Sequence, residues 1–348
     1  MKDYRTMVNP TFITAKTTIY MLAVTGNEDA KKMIAGLNLQ ETLTILEREN
    51  SPIPEADRQA LMAGAVTAVE ARYAAVSRLL KSREWNGLLD IACGYTPRAF
   101  FCKKAGIGYA GLDVPVVAEE LQRFADQEGL GKVYTGGDAT NAASLLAAAE
   151  KLEGKILVSC EGLLGYLSED EFEQLLGGIR QVLKLHGGAW VSSDMGVDYE
   201  AFTTANMESA DAAALYNAAR RKAMDQSNIY NKGVARWDPD RMKDYLESHG
   251  LKVEKLPFWD RSEGLSILRT VPEAWAEKYE QLLKNSCVWK MTLDEKYEEH
   301  GRIAGAKQVE NLKISYEVDF RTLNCAVTGR IDTISSPALL EVFERTTR

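Results

Sequence analysis

The chain has 348 residues, 45% of them hydrophobic, and a formal net charge of −8. This length suffices for one large domain with an appendage or for two modest domains. The acidic balance supplies no global basic field for a phosphate backbone, so we expect no nucleic-acid partner. The five cysteines contain no CxxC pair, which favours reduced thiols and argues against a metal site, and no apolar run is long enough to span a bilayer. We therefore expect a cytoplasmic protein without a membrane contact.

Residues 1–85 are predicted to form an N-terminal helical cap. Between Leu61 and Leu80, apolar residues recur largely at three- and four-residue spacing, the pattern of an amphipathic helix. Pro52 and Pro54 interrupt the helical section and predict a turn before it resumes.

From Leu88 onward, short apolar runs alternate with longer amphipathic stretches, which is typical of a largely parallel sheet with helices on both faces. The predicted fold class is α/β, with a Rossmann-like seven-stranded sheet over 86–275, the helical cap before it and a small C-terminal β/α appendage. The last two runs are too close for an intervening helix and predict an antiparallel hairpin. The seven runs are GLLDIAC, YAGLDV, KVYTGGD, KILVSCE, GAWVSSD, LKVEKLPFW and GLSILRTV.

A longer insertion spans about 196–236 and carries Tyr199 and Arg220. It is a candidate lid, because insertions near the carboxyl ends of strands often carry specificity. A helical pair packed on the edge of the sheet is an equally good interpretation of this segment.

The turn after the first predicted strand, ACGYTPR, contains a single glycine, Gly94. A dinucleotide site needs three glycines there, because a pyrophosphate must approach the backbone at a helix N-terminus. S-adenosylmethionine (SAM) has no phosphates, since its adenosine joins directly to a sulfonium that carries the methionine chain. The scarcity of glycine therefore favours SAM as the cofactor.

Acidic residues end the next three predicted strands. Asp113 follows Gly94 by 19 positions (113 minus 94), close to the spacing at which a carboxylate meets ribose hydroxyls, and Asp138 and Glu161 end the third and fourth runs. Because carboxyl ends of parallel strands meet at one edge, we expect the three carboxylates to share a crevice. The ordinary alternatives are a helix N-cap for Asp113 or Asp138 and a surface position for Glu161.

The segments LLDIACGYTPRAF, GLDVPVV and CEGLLGYLSEDEFEQLL resemble the leucine carboxyl methyltransferase family of class I SAM-dependent methyltransferases. The resemblance covers about 60–195, and EGLLGYL is its most specific part. It implies the class I methyltransferase sheet, SAM as the cofactor and a set of cofactor-binding residues in which Asp138 and Ala139 meet the adenine. Together with Ala92 of the same loop, the candidate cofactor-binding residues are Arg72, Ala92, Gly94, Asp113, Asp138, Ala139 and Glu161.

In the same resemblance, Arg72 pairs with the carboxylate of SAM, and Gly94 and Glu161 contact its methionine portion. The family usually has a Gly-x-Gly pair in the loop where this chain has Ala92, whose Cβ narrows the approach of a ligand. A solvated charge on a helix face is the alternative for Arg72. Lys16 is a weaker candidate for cofactor binding.

Methyl transfer from a sulfonium is an in-line displacement that depends on positioning and desolvation, so we assign no catalytic residue and no metal. None of the three histidines follows a predicted strand that bears a carboxylate, so the acceptor is expected to be ionised already. The expected substrate is a carboxylate of a small molecule or peptide, with Tyr166, Tyr199 and Arg220 as candidate contacts. Either tyrosine is an alternative base. The alternative functions are a non-catalytic SAM-sensing regulator and, disfavoured by the missing glycines, a nicotinamide-dependent oxidoreductase.

The C-terminal part is predicted as a helical linker, 276–310, followed by a separate segment, 311–348. KISYEV and LNCAVTG alternate as in a β-hairpin, and SSPALLEVF predicts a helix start. LNCAVTGRIDTISSPALLEVFER resembles the opening half of a STAS domain. So small a fragment needs a partner surface, so we expect docking on the methyltransferase domain, a homodimer or a STAS-type protein partner, unless the chain is cut short relative to a longer parent.

Overall fold

A computed structural model describes two compact units of the chain, the first ending at Leu293 and the second beginning at Asp294 and including 249–251. Among the residues that the structure describes, no helix is long and apolar enough to cross a membrane. The described residues are 10–39, 53–226, 234, 237–296, 303–309, 312–319 and 322–329.

The helices of the first unit form the N-terminal cap and the layers that cover the sheet. Helix α3 starts directly after Pro54, as predicted, and its acidic first turn and basic last turn suit the helix dipole. The helices are α1 (Pro10–Val24), α2 (Glu28–Gly36), α3 (Glu55–Lys81), α4 (Arg98–Ala105), α5 (Pro115–Gln127), α6 (Ala142–Ala149), α7 (Glu169–His186), α8 (Tyr199–Thr204), α9 (Ala210–Gln226), α10 (Pro239–Ser248) and α11 (Glu273–Asn285).

A seven-stranded sheet in the order β3-β2-β1-β4-β5-β7-β6 forms the centre of the first unit. Strands β1 to β5 pair in parallel, and β7 lies antiparallel to β5. This confirms the predicted Rossmann-like sheet of the class I methyltransferase type. The strands are β1 (Gly87–Ile91), β2 (Gly108–Asp113), β3 (Tyr134–Gly136), β4 (Ile156–Cys160), β5 (Gly188–Ser192), β6 (Leu251–Pro257) and β7 (Cys287–Leu293).

The order of strands reverses between β1 and β4, because β2 and β3 extend the sheet to one side and β4 and β5 to the other. Strands β1 and β4 are nonetheless paired, with Ile91 beside Cys160 at their carboxyl ends. Such a reversal leaves a crevice beyond the strand ends, the usual ligand site of open α/β sheets.

The prediction that GLSILRTV is the seventh strand is wrong. Ile267–Arg269 form a 3₁₀ turn, and the backbone N–H groups of Ser266 and Ile267 donate to the carboxylate of Glu70 at 2.7 and 3.0 Å. Those groups are thus satisfied by a side chain on α3 instead of a neighbouring strand. The seventh strand is β7, which lies in the segment predicted as a helical linker, 276–310, and α11 precedes it, so the predicted final hairpin is also wrong.

The described part of the 196–236 insertion contains α8 and α9. Helix α8 packs on α3 so closely that a Cβ on Gly64 would lie 2.0 Å from the carbonyl oxygen of Phe202. Asp57 on α3 also accepts a hydrogen bond from the N–H of Glu208 at 2.6 Å. The start of the insertion therefore packs on a helix, whereas a role as a lid remains a prediction. Arg220 lies on α9, and its side chain is outside the described part.

The second unit contains a three-stranded antiparallel sheet in the order β10-β9-β8. Strands β9 and β10 pair from Leu312 with Gly329 to Asp319 with Thr322, which confirms the predicted hairpin, and β8 adds a strand within the predicted linker. The rest of the GRIDT turn after Gly329 and the helix at SSPALLEVF lie outside the described residues, so the resemblance to a STAS domain remains a prediction. The strands are β8 (Ile303–Val309), β9 (Leu312–Asp319) and β10 (Thr322–Gly329).

Candidate functional site

The loop between β1 and α4 passes through two left-handed residues, Ala92 with φ 50° and Gly94 with φ 51°. Asp113 at the end of β2 holds this loop, since its Oδ2 accepts the Gly94 N–H at 2.7 Å and its Oδ1 accepts the Val114 N–H at 2.8 Å. Helix α5 has Val114 at its N-cap position, without a side-chain cap bond, so Asp113 is not an N-cap. Each carboxylate oxygen keeps a second lone pair that can accept a hydroxyl.

Asp113 is half-buried, and burial raises its pKa to about 6, against the lowering effect of the bonds from Gly94 and Val114. The next strand end lies alongside, because the N–H of Gly137 donates to the carbonyl of Asp113 at 2.9 Å. Asp138 accepts bonds from the N–H and hydroxyl of Thr140 at 2.9 and 2.7 Å. This aspartate forms a local turn and is not the N-cap of α6, a position that Asn141 occupies. Asp138 and its neighbour Ala139 are half-buried, and their role at the adenine remains a prediction.

Glu161, directly after β4, is the centre of a buried ionic network. Its Oε2 lies 3.1 Å from Nη2 of Arg98 and 3.5 Å from Nε of Arg72, and its Oε1 accepts from the hydroxyl of Ser193 at 3.0 Å. The side chain is only 8% exposed, which rules out the surface alternative. Burial raises the pKa of Glu161 to about 7, while the two arginines lower it and Asp194 raises it.

Two arginines enter this network from different helices. Arg98, the first residue of α4, is 3% exposed, and its Nε lies 3.6 Å from Oδ2 of Asp90 on β1. The side chain of Arg72 on α3 is 14% exposed, and its guanidinium lies 5.7 Å from the centre of the Tyr199 ring. Burial lowers the pKa of Arg72, but Tyr199 and Glu161 outweigh it and raise the pKa above its usual value. Arg72 is therefore not a solvated helix-face charge.

A small, half-open cavity lies beside this network, at the reversal between β1 and β4. Helix α1 forms one wall, and its Ala15 would be 3.6 Å from a Cβ on Gly94, while Nζ of Lys16 lies 5.5 Å from the centre of the Tyr95 ring. The cavity is lined by Thr18, Leu22, Val69, Arg72, Tyr73, Asp90, Ala92, Cys93, Thr96, Arg98 and Glu161.

Tyr166 and Tyr199, the candidate contacts of the methyl acceptor, both raise the pKa of Arg72. Tyr166 ends the 3₁₀ turn after β4. That turn is held by Asp194, whose carboxylate accepts the backbone N–H groups of residues 162, 163 and 164 at 2.7, 3.0 and 3.0 Å. Both tyrosines thus lie near Arg72.

The structure brings Arg72, Ala92 and Glu161 together at the cavity, with the hydrogen-bonded pair Gly94 and Asp113 at the adjoining loop. Sequence reasoning missed four polar residues of this network. Asp194 ends GAWVSSD as the predicted carboxylates end their strands, so the same criterion could have found it. Arg98 had no such indication, because a single arginine in a helix is usually exposed. The four residues are Asp90, Arg98, Ser193 and Asp194.

Neither a protein-family model nor a curated protein matches the sequence. Solved structures that resemble the chain include the mitomycin 7-O-methyltransferase MmcR, at 15% identity and a TM-score of 0.40, over 66% of this chain and 54% of MmcR. An O-methyltransferase family protein from Burkholderia thailandensis matches at 12% identity and a TM-score of 0.38, over 78% of this chain and 74% of that protein. A SAM-dependent methyltransferase from Archaeoglobus fulgidus matches at 16% identity and a TM-score of 0.35, over 63% and 93%.

The chain spans less than two thirds of the length of MmcR and of a Nostoc punctiforme neighbour, at 54% and 59%. TM-scores this low carry no argument about activity. The fold assignment rests on the strand order of the chain itself, and the leucine carboxyl methyltransferase and STAS resemblances remain predictions.

Proposed function

We propose that this chain is a SAM-dependent O-methyltransferase that methylates a carboxylate of a small molecule or peptide. The observation that carries the proposal is the crevice at the reversal between β1 and β4, where the Gly94 loop is bonded to Asp113 and charged side chains line a cavity. A loop with one glycine, held by a carboxylate, suits a nucleoside without phosphates better than a pyrophosphate.

The residues of the crevice fit the parts of SAM. Asp113 retains lone pairs for ribose hydroxyls, and Asp138 with Ala139, after the next strand end, is the proposed contact for the adenine. At the other end, Arg72 offers a guanidinium to a carboxylate, and Glu161 offers a carboxylate to an ammonium group. SAM, when bound, supplies a methyl group on a positively charged sulfur.

The residues of the chain would then contribute position and exclusion of water. Helix α1 closes one wall of the cavity, and Tyr166 and Tyr199 beside Arg72 are the proposed acceptor contacts, with Arg220 on α9. A carboxylate acceptor needs no base. Glu161 is proposed to hold the ammonium group of SAM, and none of the three histidines follows a predicted strand that bears a carboxylate, so the proposal keeps a carboxylate acceptor.

Ligand binding tests the cofactor. We expect SAM and S-adenosylhomocysteine (SAH) to raise the melting temperature and NAD to leave it unchanged, since a ligand that binds only the native state stabilises it. Asp113→Asn should weaken SAH binding in calorimetry by about tenfold or more, because hydrogen bonds to a charged acceptor are the stronger ones. Asp126→Asn on the exposed part of α5 is the matched control and should bind SAH normally. Stabilisation by NAD alone would refute the proposal in favour of an oxidoreductase.

Turnover tests the acceptor class. The full chain is incubated with methyl-labelled SAM and a panel of carboxylic acids, alcohols and phenols. A methyl ester releases labelled methanol in mild base, whereas a methyl ether does not, so base-labile label is the expected result. Base-stable label would contradict the carboxylate acceptor, and SAH binding without any transfer would favour the SAM-sensing regulator.

A further inference from the structure

We infer that Arg98 recognises the carboxylate of the α-amino-acid end of the ligand and so makes the crevice selective for ligands that retain this end. The inference rests on the proposed function and adds to it a residue that the family resemblance does not assign. It is carried by the position of one buried guanidinium nitrogen.

Arg98 uses two of its three nitrogens on protein acids. Its Nη2 lies 3.1 Å from Glu161 and its Nε 3.6 Å from Asp90, so the side chain joins the ends of β4 and β1. Its Nη1 is buried and has no hydrogen-bond partner among the residues that the structure describes. The ring of Tyr73 lies over the guanidinium, 5.2 Å from its carbon, and supplies a π face but no acceptor atom in line with Nη1.

A buried donor without a partner is costly, and the large majority of buried side-chain polar atoms in native proteins are paired. Arg98 lines the cavity, so a ligand group held there is the proposed partner of its guanidinium. An ionised acceptor is favoured over a neutral one, because charge-assisted bonds to a guanidinium are about twice as strong.

The charges around the cavity match an amino-acid zwitterion. Arg72 and Arg98 supply two positive groups and Asp90 and Glu161 two negative groups, all lining the same space. A ligand with one carboxylate and one ammonium adds one charge of each sign. Of the two arginines, Arg72 also lies against the Tyr199 ring, towards the acceptor residues, whereas Arg98 is almost wholly enclosed, at 3% exposed. We therefore assign the carboxylate of the ligand to Arg98 in addition to Arg72, the residue that the family resemblance names.

The test compares three ligands by calorimetry on the full chain: SAH, its decarboxylated analogue S-adenosyl-3-thiopropylamine, and 5′-methylthioadenosine, which lacks the whole amino-acid end. In Arg98→Lys the compact ammonium cannot reach two acids and a third acceptor together. We expect this variant to bind SAH about 10- to 100-fold more weakly, as for loss of a charged hydrogen bond, and to bind both truncated ligands with unchanged affinity. Arg180→Lys, at a buried arginine of α7 outside the cavity, should leave all three affinities unchanged.

An equal loss for all three ligands, or no loss for SAH, would overturn the inference, because Arg98 would then act only on the shape of the site. Failure of the wild type to bind any of the three would instead refute the proposed function. Should Arg98→Lys fail to fold, the charge-balanced double variant Asp90→Asn/Arg98→Gln replaces it. The same selective loss of SAH affinity is then expected, and a uniform loss again overturns the inference.

Discussion

Replacing Ala92 by glycine should stabilise the protein. Ala92 has φ 50°, in the left-handed region where a Cβ costs about 1–2 kcal/mol per residue. Glycine relieves this strain, but it also lowers the free energy of unfolding by about 0.4–1 kcal/mol, because the unfolded chain gains conformational entropy. The difference between the two ranges predicts that Ala92→Gly raises the free energy of unfolding by about 0–1.6 kcal/mol, with a centre near 0.8 kcal/mol.

Urea unfolding followed by circular dichroism measures this change. The control is Ala147→Gly, at an exposed position of α6 with ordinary helical geometry, which should lose about 1 kcal/mol. The two Ala→Gly changes are therefore expected to have opposite signs. Because Ala92 also lines the cavity, its Cβ narrows the space for a ligand, and Ala92→Gly should bind SAH at least as tightly as the wild type. A loss of stability equal to that of Ala147→Gly would refute the argument from strain.

Two further predictions concern pH and helix packing. The folded-state pKa values of Asp113 and Glu161, about 6 and about 7, exceed their ordinary values of 3.8 and 4.5, so the folded protein binds more protons than the unfolded chain between these limits. Stability without ligand should therefore fall as pH rises from 5.0 to 7.5 in urea titrations, and Asp113→Asn should show a smaller fall; an unchanged fall would contradict the shift. Gly64→Ala should lower the melting temperature, because its Cβ would meet the Phe202 carbonyl at 2.0 Å, whereas Gly177→Ala on α7, with nothing within 4 Å, should gain about 1 kcal/mol. Equal effects of the two glycine changes would show that α3 and α8 do not pack so closely.

The sequence was sufficient to predict β1 to β5, the strands that pair in parallel. The runs that end at Asp113 and Glu161 are buried strands, and their carboxyl ends meet because parallel pairing aligns them. GLSILRTV was misassigned because an apolar run does not reveal what satisfies its backbone. Glu70, almost two hundred residues earlier, binds the N–H groups of this segment and makes it a turn. Strand β7 was missed because it pairs with β5, far away in the sequence.

The site was predictable to the extent that it depends on strand ends. Sequence reasoning placed Arg72 and Glu161 at one site through a family resemblance, but it gave no reason for them to contact each other. Their ion pair follows from the packing of α3 over the end of β4, which is a tertiary property. The burial of Arg98 has the same origin, since the cavity it lines is walled by α1 and α3 as well as by the strands.

The ionic network also bears on why these charges lie in the interior. Removing charges from water costs several kcal/mol for each ion, and well-packed apolar residues often serve stability as well or better. The network of Asp90, Arg98, Glu161 and Arg72 is therefore a poor device for stability alone, and one of its nitrogens has no partner among the described residues. Charges held in fixed positions beside a cavity are instead suited to a charged ligand, because the cost of arranging them is met during folding and not during binding. The same reasoning explains why the network lies at the reversal between β1 and β4, where these two strand ends and the loop at Ala92 line a shared space.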